Sequence, residues 1–294
     1  MANKRLAVFG HSHTICLIDA LAHWRFDEGH PEFDAQKSQS LPRWPDEGTA
    51  SLDVHLDVTI PGSDRRCFVD AYPIYGRAEG ADILDIVQHD GEKMRVQPSA
   101  LYRRFLDEIE GADVLVSCLF GNEFALWQYV ANLPPYDFIP VGAPTEQVTV
   151  KRGVPLLDRQ YIIDRISPSV RQLKACLLLA KREYSAMPIV HVMPSPPIAD
   201  VADASSLERF EELFDIHGVV SKELRLKWYQ SYVFLLEQEL LSAGLMTMRA
   251  PANAQDEKGF LKPEYLRGLT HGNGAYGKLV WAQLAEVFDR ESLW

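Results

Sequence analysis

Hydrophobic and polar positions follow two rhythms along the chain, and they alternate. Short apolar runs at 6–9 (LAVF), 113–120 (DVLVSCLF) and 187–197 (MPIVHVMPSPP) read as buried strands, the last ending in a proline-fixed loop. LDVHLDVTI at 52–60 alternates with period two, as a half-exposed strand does, and RCFVDAYPIYG at 66–76 is a further strand closed by Pro73 and Gly76. Residues 245–249 make a last short strand.

Between these runs the spacing becomes helical. Helices are expected from residue 12 to about 24, over about 98–111, and from the stretch NEFALWQYVANL at 122–133. A long helix over 157–184 contains Pro168, which should start, kink or break it. Two helices follow, the second near 220–243. A final helix from about 274 carries Tyr276, Leu279, Val280, Leu284, Val287 and Phe288 on one face. Alternating strands and helices predict an α/β fold, a mostly parallel sheet covered by helices on both sides. No repeat or linker divides the sequence, so residues 1–294 read as one domain. Residues 27–51, polar and proline-rich, form a long excursion or lid-like insertion.

Composition narrows the function classes. With 47% hydrophobic and 24% charged residues the chain reads as a soluble globular protein, and a formal net charge of −11 disfavours nucleic acid and anionic membrane surfaces. No apolar stretch approaches the roughly 20 residues of a membrane span. The N-terminal run is too short for a secretory leader. Cys16, Cys67, Cys118 and Cys176 are widely spaced without a CxxC pair, as expected for reduced thiols in the cytoplasm.

In sheets of this class, ligands bind beyond the carboxyl ends of the strands. Segments 10–13, 121–123 and 193–197, and the sequence LTHGNGAYG before the final helix, are therefore the places to look for chemistry. Ser12 follows a strand and Gly10 at a helix start, where free N–H groups favour negative charge. Helix capping alone also accounts for a serine there. Asn122, after Gly121, offers an amide donor at a second strand end, and again a cap is the plain alternative. His271, in a glycine-punctuated loop, is available as a general base near neutral pH. Together they make a nucleophile, a base and an oxyanion donor.

The order of these motifs resembles the SGNH (GDSL-like) hydrolases. Gly10-His11-Ser12-His13 is similar to the family's first block, Gly121-Asn122-Glu123 to its third, and Gly268-Leu269-Thr270-His271 to its last. The resemblance implies a three-layer α/β/α fold and hydrolysis of esters, thioesters or amides, often acetyl groups on sugars. It implies Ser12 as nucleophile and His271 as base. The oxyanion hole would be made by Asn122, the Ser12 backbone N–H and a second-block glycine, Gly76 or alternatively Gly80. Three positions depart from the pattern. His11 replaces Asp, Glu123 replaces Asp, and Gly268 stands where an Asp would orient the histidine. What remains is a Ser–His dyad whose imidazole is oriented by a backbone carbonyl or by a carboxylate from elsewhere, Glu264 or Asp256.

Other readings compete. His11, His13, His191 and His271 could form a metal cluster, but no HxxxH or DxH spacing accompanies them. A non-catalytic binding protein or an acyltransferase would fit the same scaffold. Ser195, between prolines, is either a pocket-lining residue or part of a rigid strand exit. Trp44, Trp127 and Tyr75 could stack on a sugar. The expectation is a cytoplasmic serine esterase acting on a small-molecule or carbohydrate ester, with no metal and no cofactor.

Overall fold

A computed structural model of the chain describes residues 3–11, 13–22, 50–51, 54–75, 84–90, 93–119, 128–131, 133–144, 146, 148–204 and 210–294. Strand β1 (Lys4–Gly10) is apolar on both faces, and the two faces feed two different cores. Leu6 and Val8 join one, Ala7 and Phe9 the other. A strand covered on both sides must lie inside its sheet, and β1 does. It pairs in parallel with β4 (Arg66–Tyr75) on one side and β7 (Val114–Cys118) on the other. Beyond β7 come β8 (Ile189–Val192) and β9 (Met246–Met248), both parallel. The other edge is antiparallel, where β2 (Ala50–Ser51) and β3 (Val54–Thr59) both pair with β4.

Helices cover both faces. α1 (His13–Ala22) and α6 (Gly274–Arg290) pack on the Leu6/Val8 side. The other side is covered by α2 (Ala100–Glu108), α3 (Arg159–Glu183) and α5 (Lys222–Ser242); α4 (Phe210–His217) contributes Phe210 to a smaller cluster with Tyr129, Ile198 and Leu269. The result is the three-layer α/β/α arrangement with a mostly parallel sheet. Side chains cap the helix starts. Ser99, Asp158, Ser221 and Asn273 each accept a backbone N–H from the first turn of α2, α3, α5 and α6. Among the described residues no helix is long and apolar enough to cross a membrane.

Two elements differ from the sequence expectation, the first only in part. Of the outcomes expected at Pro168, it neither starts nor ends α3, which runs through it. A helix-interior proline costs about 3 kcal/mol. Burying each of Ile162, Ile166, Val170 and Leu173 along the same face returns roughly 1.5–3 kcal/mol apiece. Packing before and after the proline outweighs the lost hydrogen bond. The second difference is a hairpin between β5 (Leu84–Asp90) and β6 (Lys93–Pro98), which forms its own two-stranded sheet. The expected insertion at 27–51 and the helix start at 122–127 lie outside the described residues apart from 50–51.

The contact between α1 and α6 is unusually close. A Cβ on Gly277 would run into the backbone carbonyl of Cys16, with the Ala20 methyl 3.0 Å away. Trp281, one turn further along α6, is fully buried and donates its indole N–H to the Leu17 carbonyl at 2.9 Å. Gly277→Ala should therefore force the helices apart and destabilise the protein by about 3 kcal/mol or more, at the high end for overpacking. Chemical denaturation of the variant checks this. An unchanged midpoint would mean the helices are free to separate.

His191 on β8 is completely buried, with Nδ1 3.2 Å from Ser117 Oγ on β7. Burial pushes its pKa down to about 3, from an ordinary 6.5. The folded state thus holds the neutral ring at pH values where the unfolded chain is protonated. Its contribution to stability is complete above pH 6.5 and declines as the pH falls from there towards 3. The slope for one such proton is about 1.4 kcal/mol per pH unit. Urea unfolding at several pH values through the weakly acid range should show a shallower decline for His191→Gln than for wild type. Equal slopes would contradict the account.

Candidate active site

The chain leaves β1 at its carboxyl end and goes first to β4 on one side; the path after β4 then crosses to β7 on the other. Strand order reverses between β1 and β7, so the crevice of this sheet opens beyond Gly10 and Cys118. Backbone there is tightly placed. The His11 N–H donates to the Cys118 carbonyl at 3.3 Å, and a Cβ on Gly10 would collide with that same peptide unit. Only glycine fits at this corner. Beyond it the Thr14 N–H closes a turn onto the His11 carbonyl at 2.8 Å, and α1 begins at His13.

Three of the four segments singled out in the sequence meet at this edge. His13 stands at the start of α1, and its ring lies 4.9 Å from that of His271, tilted by 47°. Ser195, in the loop after β8, has its Oγ 3.4 Å from His13 Nε2 and donates to the Thr270 carbonyl at 3.2 Å. The same carbonyl also hydrogen-bonds with His13. Ser195 is thus a strut in a rigid strand exit, the plainer of its two readings. That exit is well anchored. The Met193 N–H donates to the Met248 carbonyl at 2.8 Å and the Tyr229 hydroxyl to the Pro194 carbonyl at 3.0 Å. The buried Arg225 guanidinium donates to the carbonyls of Ile198 at 3.1 Å and Ala199 at 2.8 Å.

His271 itself opens β11 (His271–Gly272), which pairs with β10 (Leu266–Arg267) as a short antiparallel hairpin. Two further ties hold that hairpin. Arg267 reaches the buried carboxylate of Asp19 on α1 at 3.3 Å. Asn273 caps α6 with its Oδ1 while its Nδ2 donates to the carbonyls of Glu264 at 2.9 Å and Leu266 at 3.3 Å. The imidazole Nδ1 lies 3.0 Å from Thr270 Oγ1. Gly268, where the resemblance would put an Asp, is buried with φ +59°. This left-handed backbone favours glycine over a side chain, which accounts for the departure. Asp256 and Glu264 are exposed, and the Asp256 carboxylate accepts the backbone N–H groups of Lys258 and Phe260 within its own loop.

Burial also sets the charge state of the neighbourhood. His11 is pushed down to about 4 by desolvation. His13 is held well below the usual histidine range, first by burial and then by the neighbouring histidines, with the Thr270 carbonyl working the other way. Both rings are neutral at neutral pH. The thiols of Cys16 and Cys118 are pushed up by burial, that of Cys118 to about 12, so neither is a thiolate. Among the described residues no group of three His, Cys, Asp or Glu side chains is arranged to hold a metal ion.

Of the residues expected to carry chemistry, the structure describes His271. Ser12, Gly76, Gly80 and Asn122 lie outside the described residues, as do Trp44 and Trp127. Sequence reasoning gave no role to Thr270 or to the Asp19–Arg267 pair, and weighed His13 only within the serine corner and as a metal ligand. A hydroxyl next to His271 was visible in the sequence, but nothing in the spacing tells whether its Oγ1 meets the ring.

No protein-family profile matches the sequence, and no curated protein matches it. Among solved structures the chain is similar to a GDSL-like lipase from Bacteroides thetaiotaomicron, at 11% identity and a TM-score of 0.46, covering 98% of this chain and 89% of that one. It is also similar to the periplasmic domain of a lipopolysaccharide acetyltransferase from Salmonella ser. Paratyphi A, at 13% identity and a TM-score of 0.45, covering 98% and 84%. The chain's own sheet order and its two helical layers make it a three-layer α/β/α protein, the fold class that the order of its motifs implies.

Proposed function

We propose that the protein is an SGNH-type serine acyl hydrolase that forms an acyl-enzyme on Ser12. The observation that carries this reading is the position of His271. It sits on a braced hairpin beside the start of α1, its ring against that of His13, the residue that follows Ser12 in the chain. A histidine held there through Nδ1 presents Nε2 as the nitrogen that serves as base. The Ser195 hydroxyl, by contrast, donates to the Thr270 carbonyl, which favours a structural part for it.

The reaction balances with these groups. Ser12 Oγ attacks the acyl carbonyl as His271 Nε2 takes its proton, and the oxyanion is bound by the Asn122 amide and the backbone N–H groups of Ser12 and Gly76. The tetrahedral intermediate collapses by expelling an alcohol, which takes the proton from the His271 imidazolium. Water, deprotonated by His271, then attacks the acyl-enzyme; as that intermediate collapses the imidazolium returns the proton to Ser12 Oγ and the acid is released. No step calls for a metal or a cofactor. The substrate is a small ester or an acetylated carbohydrate, met in the cytoplasm as a single folded domain.

Ser12→Ala should abolish labelling by a fluorophosphonate probe while leaving the thermal midpoint nearly unchanged. A wild-type protein that never labels, or a label mapped by mass spectrometry to Ser195, would overturn the assignment. Asn122→Ala should lower kcat by about 10²–10³ with KM little changed, the usual cost of one oxyanion donor. A loss confined to stability, with activity per folded molecule intact, would make Asn122 a structural residue.

A further inference from the structure

The geometry points to Thr270 as the positioning residue for His271, its side-chain hydroxyl taking the place that an Asp would hold three residues before the histidine. The inference rests on the reading of His271 as the general base and deepens it. Three observations support it. Thr270 Oγ1 lies 3.0 Å from His271 Nδ1, within hydrogen-bonding distance. Gly268 has a left-handed backbone in a buried turn, where a carboxylate side chain is disfavoured. Thr270 is itself held from outside the hairpin, since its carbonyl accepts from Ser195 at 3.2 Å and also bonds with His13.

The proton arrangement follows from these contacts. Ser195 gives its hydroxyl proton to the Thr270 carbonyl, and its Oγ lies 3.4 Å from His13 Nε2. His13, neutral because it is buried, bonds to that same carbonyl. For His271 to act through Nε2, its single proton must sit on Nδ1, where Thr270 Oγ1 accepts it. When Nε2 takes the Ser12 proton, the Nδ1–H bond to Thr270 persists in the imidazolium, and no proton passes to the threonine. A neutral hydroxyl fixes tautomer and ring orientation as an Asp does. It does not add the Asp's negative charge.

Thr270→Val keeps the shape of the side chain and removes the hydroxyl, and Thr270→Ser restores it. The tautomer of His271 is read by long-range proton–nitrogen NMR, its signals assigned by their disappearance in His271→Gln. Wild type and Thr270→Ser should show the Nδ1–H form, and Thr270→Val should show a mixture or a shift towards Nε2–H. On one activated ester, Thr270→Val should lose about five- to tenfold in kcat with KM little changed, the upper half of what one neutral hydrogen bond is worth. Thr270→Ser should stay within a few-fold of wild type. If Thr270→Val does not fold, Thr270→Ala takes its place in both measurements. A Thr270→Val protein that retains the Nδ1–H tautomer, or Thr270→Ser no better than Thr270→Val, would overturn the proposal. The NMR result does not depend on turnover. A protein that never labels with fluorophosphonate but shows the tautomer shift would refute the hydrolase reading and leave the positioning role of Thr270 standing.

Discussion

The arrangement of the site depends on how closely α6 lies against α1. Gly277 rests on the backbone carbonyl of Cys16, and Trp281 bonds to the carbonyl of Leu17 on the same helix. α1 carries His13 at its first position, and the hairpin before α6 carries His271. With the two helices in backbone contact, their N-terminal ends are fixed relative to each other, and the two imidazoles come to lie 4.9 Å apart. Interiors packed at crystal-like density transmit such a constraint with little slack. A single methyl group at Gly277 would therefore be felt both in stability and in the spacing of the site.

Hydrogen bonds and one ion pair carry the constraint from the helices to His271. Asp19 on α1 holds Arg267, the cross-strand partner of His271 in the hairpin. The loop after β8, stiffened by prolines and by Arg225 and Tyr229, holds the Thr270 carbonyl through Ser195. His11 and His13 are kept neutral by burial, so the crevice does not gather positive charge beside His271. Two like charges so close would each depress the other's protonation. The three elements that meet here come from opposite ends of the chain, and only the close packing of α1, β8 and α6 brings them together.

Some of this could be read directly from the amino acids. Strand–helix alternation, the continuous apolar runs and the helical spacing after residue 274 depend on local periodicity, and periodicity follows from which faces a strand or helix must bury. The Gly-x-Ser corner and the glycine-punctuated histidine loop were legible for the same reason. Each belongs to one strand end and one helix start. That α3 continues through Pro168 was not legible, because the proline's local cost is evident in sequence while the buried face that outweighs it is not. The β5–β6 hairpin was passed over in the sequence.

The sequence by itself determined the fold class, the order of the strand-end motifs and the choice of His271 as the histidine to examine. Only the tertiary structure decided what surrounds that histidine. Thr270 Oγ1, the Ser195 hydroxyl and the Asp19 carboxylate reach the hairpin from one, 75 and 248 residues away as their bonds are drawn. Spacing cannot encode such contacts, because a side-chain hydrogen bond depends on two elements being packed within about 3 Å. The vacancy at Gly268 was visible as a missing carboxylate. Its cause, a left-handed turn that favours glycine, and its counterpart, a hydroxyl two residues on, exist only once the backbone has been folded.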